Sequence, residues 1–331
     1  MNAGEPRVAR PADAGLVVSG LTDYEHGITA IDTEFVRARL DASHLIVENG
    51  RAAFVDTGTA LALPLLLAAL AAKGIAREAV DWVFLTHIHL DHAGGAGALM
   101  QALPNARLVV HPRGAAHMIA PARLIEATRQ VYGDARYARL YGEIVPVAAE
   151  RVVIADDGLE LILAGRRFQF VHTPGHALHH CAIIDREAGA IFSGDTFGVS
   201  YREFDVAGRE FVIPATTPTQ FDPEQLTASV GRIVALAPRA VYLTHYSRVT
   251  DIARLGRDLI ADIAAYVDIA ERHAGDADRG ARVREAVFAY HSARLDAHRF
   301  APDPARRHAL LDPDIELNSD GLIAWLDRRR A

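Results

Sequence analysis

Short apolar runs separated by turn residues dominate the first part of the chain and predict β-strands. Two of these runs, within 43–58, meet at Asn49-Gly50, a residue pair that favours the tight turn of a β-hairpin. The next apolar run, 60–72, is longer and carries Pro64 near its start, where a helix tolerates the missing backbone N–H. It is shorter than the roughly 20 residues that a membrane span needs. The pattern therefore predicts a strand hairpin followed by a buried helix.

A second set of strand-like runs lies between 151 and 196, after a helical stretch at 113–143 that is rich in Arg and Tyr. Asp222 and Pro223 then mark the start of another helix, with Asp as the N-cap and Pro at the first helical position. Two strand sets, each followed by helices, predict an α+β fold in which two sheets pack face to face with helices outside.

The same pattern divides the chain into two parts. The α+β domain is predicted at 15–273, with a helical insert at about 113–143. The remaining part, 275–331, is helical and strongly charged, and we predict that it is a C-terminal extension packed on the domain. Three roles are open to this extension: it caps a pocket, packs on the sheets, or pairs two subunits in a homodimer.

Composition narrows the class of protein. The chain has 331 residues, of which 50% are hydrophobic, so it can bury a large core. Its net charge of -7 argues against a general affinity for nucleic acid or for anionic membranes. Cys181 is the single cysteine, which excludes an intrachain disulfide, and the first residues lack an apolar signal segment. We therefore expect a cytoplasmic protein.

Four potential metal ligands follow one predicted strand directly. The stretch FLTHIHLDHAGG, 84–95, contains His87, His89, Asp91 and His92, a pattern expected by chance on the order of 10⁻³ times in such a chain. Side chains two apart at a strand end point the same way, so His87 and His89 can reach one ion. Asp91 and His92, past the bend, point to a neighbouring position. Imidazole and carboxylate groups suit zinc and similar divalent ions.

Three further strand-like runs end in a potential ligand. His176 follows the Pro-Gly turn in TPGH, Asp195 lies in FSGDT, and His245 ends YLTH. Strand ends at one edge of a sandwich converge, so we expect these side chains to meet the cluster at 87–92.

In these residues and motifs, over roughly 15–250, the sequence resembles the metallo-beta-lactamase superfamily. The resemblance implies a four-layer αββα sandwich with a two-metal site. It also implies that Asp56, in VDTG, supports the ligands, and that His180 forms a hydrogen bond near the site. It assigns a first ion to His87, His89 and His176, a second ion to Asp91, His92 and His245, and a bridging role to Asp195.

The TPGH and GDT motifs are most similar to those of the glyoxalase II and lactonase branch. This similarity implies two divalent ions, zinc foremost with iron or manganese as alternatives, that activate water to hydrolyse a small ester, thioester or lactone. Asp91 and Asp195 are the predicted catalytic residues, since Asp91 can orient the water or take its proton. Three other readings stay open: a mononuclear-iron sulfur dioxygenase, a phosphodiesterase of the same fold, and a non-enzymatic module with a structural ion.

Two stretches, 113–143 and 197–220, are predicted to form the walls of a substrate pocket. Tyr201 and Arg202 are the candidate substrate-binding residues, although both also fit a solvated surface loop. An arginine there would suit a carboxylate or phosphate, so a small anionic substrate is one expectation. Many lactonases have a tyrosine three residues after the bridging aspartate, where this chain has Gly198.

Overall fold

The structure, a computed structural model, describes residues 20–217 and 220–330. The predicted domain start at residue 15 and the final residue, 331, lie outside this described part. Among the described residues, no helix combines the length and the apolar character needed to cross a bilayer.

Two β-sheets form the centre of the fold. The first contains seven strands in the spatial order β1 to β7, and the second contains six in the order β13-β12-β11-β10-β9-β8. The strands of the first sheet are β1 (Leu21–Asp23), β2 (Ile28–Asp32), β3 (Ala42–Glu48), β4 (Arg51–Val55), β5 (Val80–Phe84), β6 (Arg107–Val110) and β7 (Val152–Ile154). Those of the second are β8 (Glu160–Leu163), β9 (Arg166–His172), β10 (Cys181–Asp185), β11 (Ala190–Gly194), β12 (Ala240–Leu243) and β13 (Ser247–Val249).

Helices cover the outer face of each sheet. Against the first sheet pack α1 (Leu63–Ala72), α2 (Leu90–Ala93), α3 (Ala96–Ala102) and α4 (Pro112–Ile119). Against the second pack α7 (Pro223–Ala235) and α8 (Ile252–Arg272), and α9 (Arg279–Ala297) and α10 (Pro304–Arg330) pack on α8 and on each other. The insert at 113–143 is a run of three helices, namely α4, α5 (Ala122–Tyr132) and α6 (Asp134–Tyr141). The predicted four-layer αββα arrangement is confirmed.

Three apolar layers hold these elements together. The layer between the sheets contains Phe84, Phe168, Phe170 and Phe192, all fully buried, and the rings of Phe84 and Phe170 meet edge to face at 5.2 Å. Each such side chain contributes on the order of 2 kcal/mol through burial. Alternation along β4 sends Phe54 to the helical side and its neighbours to the sheet interface, as strand geometry requires.

Three sequence features that predicted local structure are found in the expected conformations: a turn pair, a proline at a helix start and an N-cap aspartate. Asn49 and Gly50 have φ angles of +46° and +75°, which the turn between β3 and β4 requires at both positions. Pro64 lies in the first turn of α1. The Asp222 side chain accepts a hydrogen bond from the backbone N–H of Gln225 at 2.9 Å and so caps α7.

Strand direction brings several strand ends to one edge. In the first sheet β4, β5, β6 and β7 are parallel. In the second, β10 is antiparallel to both β9 and β11, and β11 is parallel to β12, so β9, β11 and β12 run the same way. The segments that carry the candidate ligands follow β5, β9, β11 and β12, and they therefore start from the carboxyl ends of strands that share a direction within each sheet.

The last helix, α10, is anchored to the segment before α7. Asn318 accepts a hydrogen bond from the backbone N–H of Thr216 at 2.7 Å and donates one to the carbonyl of Pro214 at 2.8 Å. One turn later Gly321 lies against the same segment, where an added Cβ would stand 1.6 Å from the carbonyl oxygen of Thr216. The absence of a side chain at Gly321 thus allows α10 to approach this closely.

Gly321→Ala is expected to lower the free energy of unfolding by about 2–3 kcal/mol, because helix and loop must separate to admit the methyl group. Urea denaturation followed by circular dichroism measures the change. The matched control is Gly231→Ala in α7, where no atom of the described residues lies within 4 Å of the added Cβ. That variant should gain up to about 1 kcal/mol from helix propensity. Equal stability of the two variants would contradict the close packing of α10.

Candidate metal centre

The seven predicted ligands converge at the strand ends. In the first group, His87 Nε2 lies 2.9 Å from His89 Nδ1, and His176 Nε2 lies 3.1 Å from the same atom. Two ligands of a tetrahedral zinc ion, each about 2.0–2.1 Å from the metal, lie about 3.3 Å apart. The spacing of these three nitrogens is therefore close to what one ion needs.

A second group forms beside the first. Asp91 Oδ2 lies 3.8 Å from His92 Nε2 and 3.7 Å from His245 Nε2. One donor atom from each of these three residues lies within 4.8 Å of the other two. The short helix α2 begins just after His89 and places Asp91 and His92 in the second group, while the ring centroid of His92 stays 4.0 Å from that of His87.

Asp195 lies between the two groups and faces each with a different oxygen. Its Oδ2 is 3.5 Å from His176 Nε2, whereas its Oδ1 is 3.4 Å from His92 Nε2 and 3.7 Å from His245 Nε2. This is the arrangement expected of a carboxylate shared by two cations.

Burial keeps the imidazoles of the first group neutral. The pKa values of His87 and His89 are held well below the usual range, first by burial and then by the neighbouring histidines. Burial also lowers the pKa of His176, although Asp195 opposes it. Neutral imidazoles keep the lone pair that binds a metal.

Asp195 and His92 each favour the charged form of the other. Burial opposes ionisation of Asp195, yet His92, His245 and His176 outweigh it and hold the pKa of Asp195 well below its usual range. Burial likewise disfavours charged His92, but Asp195 and Asp91 raise its pKa well above normal. Within the described part of the chain, His92 Nε2 and Asp195 Oδ1 are buried and have no hydrogen-bond partner, although they lie 3.4 Å apart. Two buried polar atoms that face each other without a hydrogen bond fit a bound cation, which would satisfy both.

Backbone carbonyls orient two of the histidines. The Nδ1 atoms of His176 and His245 lie 2.9 Å from the carbonyl oxygens of Ala215 and Leu40. Donation of Nδ1–H to these carbonyls leaves Nε2 as the acceptor that points into the cluster. This fixes the ring tautomer that metal binding requires.

Asp56 supports the cluster from behind. Its Oδ1 accepts from the backbone N–H of Thr86 at 2.8 Å, and its Oδ2 accepts from the hydroxyls of Thr86 and Thr244 at 2.8 and 2.9 Å. His92 Nδ1 also lies 3.2 Å from Oδ2. The carboxylate thus joins the ends of both sheets to a candidate ligand, as the resemblance implied.

His180 lies behind Asp195 and does not point between the two groups. Its Nε2 accepts from the backbone N–H of Asp195 at 3.2 Å, and its Nδ1 lies 2.9 Å from the hydroxyl of Thr173. Gly194 allows this contact, because its φ is +49° and an added Cβ would stand 2.6 Å from His180 Nε2. The expected hydrogen bond of His180 near the site is present.

His179, which was not among the predicted site residues, lies beside the cluster. Residues 178 and 179 form a turn shortly before β10. Its ring centroid lies 5.4 Å from that of His89, and the side chain is buried.

A cavity of about 590 Å³ opens over Asp91, Asp195 and His245. Both predicted wall stretches contribute to it, although residues 218 and 219 of the second lie outside the described part. The other walls, which the sequence did not single out by residue, are the loop at 35–40 and the middle of α10. The C-terminal extension therefore caps the pocket, which is one of the roles left open for it.

Only one of the two candidate substrate-binding residues lines this cavity. Tyr201 does so, and its side chain is buried. The guanidinium of Arg202 instead bonds the carbonyl oxygens of Ser200 and Arg248 and pairs with Asp205 at 3.2 Å. The structure thus places Arg202 away from the cavity, and this part of the prediction receives no support.

Comparisons with known proteins agree with the site. The family model of the metallo-beta-lactamase superfamily matches residues 39–245. A metallo-beta-lactamase fold-containing protein of Sulfurisphaera tokodaii is 28% identical over 172 residues, which are 51% of this chain and 61% of that protein. A hydroxyacylglutathione hydrolase of Xylella fastidiosa is 31% identical over 194 residues, which are 58% of this chain and 54% of that protein. The chain thus spans about half to three fifths of the length of these curated relatives.

Among solved structures, a metallo-beta-lactamase family protein from Thermus thermophilus superposes with a TM-score of 0.64. It is 20% identical, and the match covers 92% of this chain and 94% of that protein, a likeness that bears on the fold alone. The family match spans more than half of the chain and includes every predicted metal ligand. The protein belongs to the metallo-beta-lactamase superfamily.

Proposed function

We propose that the protein is a hydrolase that uses two divalent cations to cleave a small ester, thioester or lactone. The observation that carries the proposal is the position of Asp195, whose two oxygens face two separate groups of donor atoms. The proposed cations are zinc, with iron or manganese as alternatives, because imidazole and carboxylate donors accommodate all three.

His87, His89 and His176 would hold the first cation, and Asp91, His92 and His245 the second, with Asp195 shared. When bound, such a pair of cations lowers the pKa of a coordinated water to near neutrality and polarises the carbonyl of the substrate.

Asp91 has the best position for proton transfer. It lines the cavity, and its side chain keeps 23% of its surface exposed, whereas that of His92 is fully buried. Its carboxylate can therefore orient the attacking water and accept the proton that the water loses. The acyl–oxygen or acyl–sulfur bond then breaks, and the leaving group takes up a proton.

A protein nucleophile is not needed, and Cys181 is not suited to be one. Burial raises the pKa of its thiol, and its Sγ lies 3.5 Å from the carbonyl oxygens of Leu85 and Thr86, between the sheets. A thiol in such surroundings stays protonated and packs as a small apolar group.

The thioester part of the proposal has support from the relatives, since one of them is a hydroxyacylglutathione hydrolase. The decisive experiment pairs elemental analysis with turnover. Protein purified without chelator is assayed on thioester, lactone, ester, phosphodiester and persulfide substrates, the last with oxygen uptake recorded.

We expect about two equivalents of metal per chain and hydrolysis of at least one acyl substrate, lost on chelation and restored by zinc. One equivalent of iron with persulfide-dependent oxygen uptake would replace this proposal by a sulfur dioxygenase, and turnover of the phosphodiester alone by a phosphodiesterase. If fully metal-loaded protein turned over none of these substrates, the result would indicate a non-enzymatic binding module.

A further inference from the structure

The cavity has two chemically different walls. One is the candidate metal centre, where Asp195 is 5% exposed and its Oδ1 has no hydrogen-bond partner among the described residues. The other is α10, which contributes four carboxylates to the lining: Asp312, Asp314, Glu316 and Asp320. A substrate that fills the cavity from the metal centre would extend toward this acidic wall.

Two guanidinium groups also line the cavity. Arg37 pairs with Glu203 at 2.6 Å and lies over the ring of Tyr201 at 4.7 Å. Arg136 lies over the ring of Tyr132 at 5.2 Å. The four carboxylates of α10 thus outnumber the two arginines of the lining.

Asp314 differs from the other three acids. Asp312 lies 3.0 Å from His308 Nδ1, and Glu316 and Asp320 approach Arg284 at 3.8 and 3.9 Å. Within the described part of the chain, no nitrogen of Lys, Arg or His lies within 4 Å of the Asp314 carboxylate.

The Asp314 carboxylate nevertheless has a fixed position. The buried hydroxyl of Tyr201 donates to its Oδ1 at 3.1 Å. Burial raises the pKa of Asp314 to about 6, although the charges of His245 and Arg37 oppose this rise from a distance. A partly buried carboxylate whose hydrogen-bond donor is neutral is stabilised most by a partner that carries positive charge.

We propose that Asp314, positioned by Tyr201, is a specificity-determining residue that binds a cationic group of the substrate. The substrate is then an ester, thioester or lactone with its carbonyl at the metal centre and an ammonium or similar group at α10. This inference rests on the proposed function, and it replaces the anionic substrate that an arginine near the site had indicated.

The test compares three acetyl thioesters that differ in the charge of the thiol part: trimethylammonioethyl, its neutral isostere 3,3-dimethylbutyl, and 2-carboxyethyl. For the unaltered protein we expect kcat/KM to be about 10- to 100-fold higher for the cationic thioester than for the neutral one, as for a partly desolvated ion pair, and lowest for the anionic one. Asp314→Asn should remove this preference through a higher KM for the cationic thioester, with kcat and the neutral thioester nearly unchanged.

Asp268→Asn, an exposed position on α8, is the matched control and should keep the full preference. Equal rates for all three thioesters, or an equal loss on all three in Asp314→Asn, would overturn the inference and leave the proposed function standing. If no thioester is cleaved by metal-loaded protein, the proposed function is in doubt. Calorimetric binding of the uncleavable ethyl thioether of the cationic thiol then decides: binding lost in Asp314→Asn supports a cation subsite, and absence of binding overturns it.

Discussion

Asp195→Asn is expected to lower kcat/KM for hydrolysis by about three orders of magnitude, which corresponds to about 4 kcal/mol of transition-state stabilisation. The side chain faces the first group of donors with Oδ2 and the second with Oδ1, at 3.4–3.7 Å from three imidazole nitrogens. An amide has the same shape but only one oxygen and no charge. One of the two groups would then meet an NH₂, which binds no cation.

Metal content separates this effect from simple misfolding. We expect Asp195→Asn to bind fewer than two equivalents of zinc by elemental analysis while its thermal unfolding stays cooperative. Asp268→Asn makes the same chemical change on an exposed face of α8 and should leave metal content and turnover unaltered. If Asp195→Asn retained two tightly bound ions and normal turnover, Asp195 would not be the shared ligand.

The candidate ligands could be predicted from sequence because their signal is local. Four of them lie within residues 87–92, and each of the other three follows a short apolar run that is a strand in the structure. Because these strands end at the same edge of the sheets, the side chains that follow them are held close together. Asp56, which follows β4 directly, was indicated by the resemblance to the family.

The residues that line the walls of the cavity are not marked by a comparable local pattern in the sequence. Asp314 lies 113 positions after Tyr201 in a helix rich in charge, where most carboxylates are solvated, so nothing local marks it as a cavity residue. Tyr201 and Arg202 are adjacent, yet a short 3₁₀ helix begins at Arg202 and their side chains diverge. Tertiary contacts decide both cases.

Removal of bound divalent ions is expected to lower the midpoint of thermal unfolding by on the order of 10 °C. The donor atoms come from segments as far apart as residues 87 and 245, so only the folded chain assembles them. An ion present at about 1,000 times its dissociation constant adds about 4 kcal/mol to stability, and each kcal/mol moves the midpoint of a large domain by roughly 2–4 °C. Scanning calorimetry of zinc-loaded and chelated protein measures the difference.

Two histidine variants show whether this stabilisation arises at the candidate centre. His87→Ala removes a fully buried donor of the first group, so its unfolding midpoint should respond much less to zinc and chelator. His273→Ala, at the C-terminal end of α8, removes a histidine whose partner is Asp276 and should respond like the unaltered chain. Because binding to the folded state alone shifts unfolding, equal midpoints with excess zinc and with chelator would show that these donors do not form a metal site.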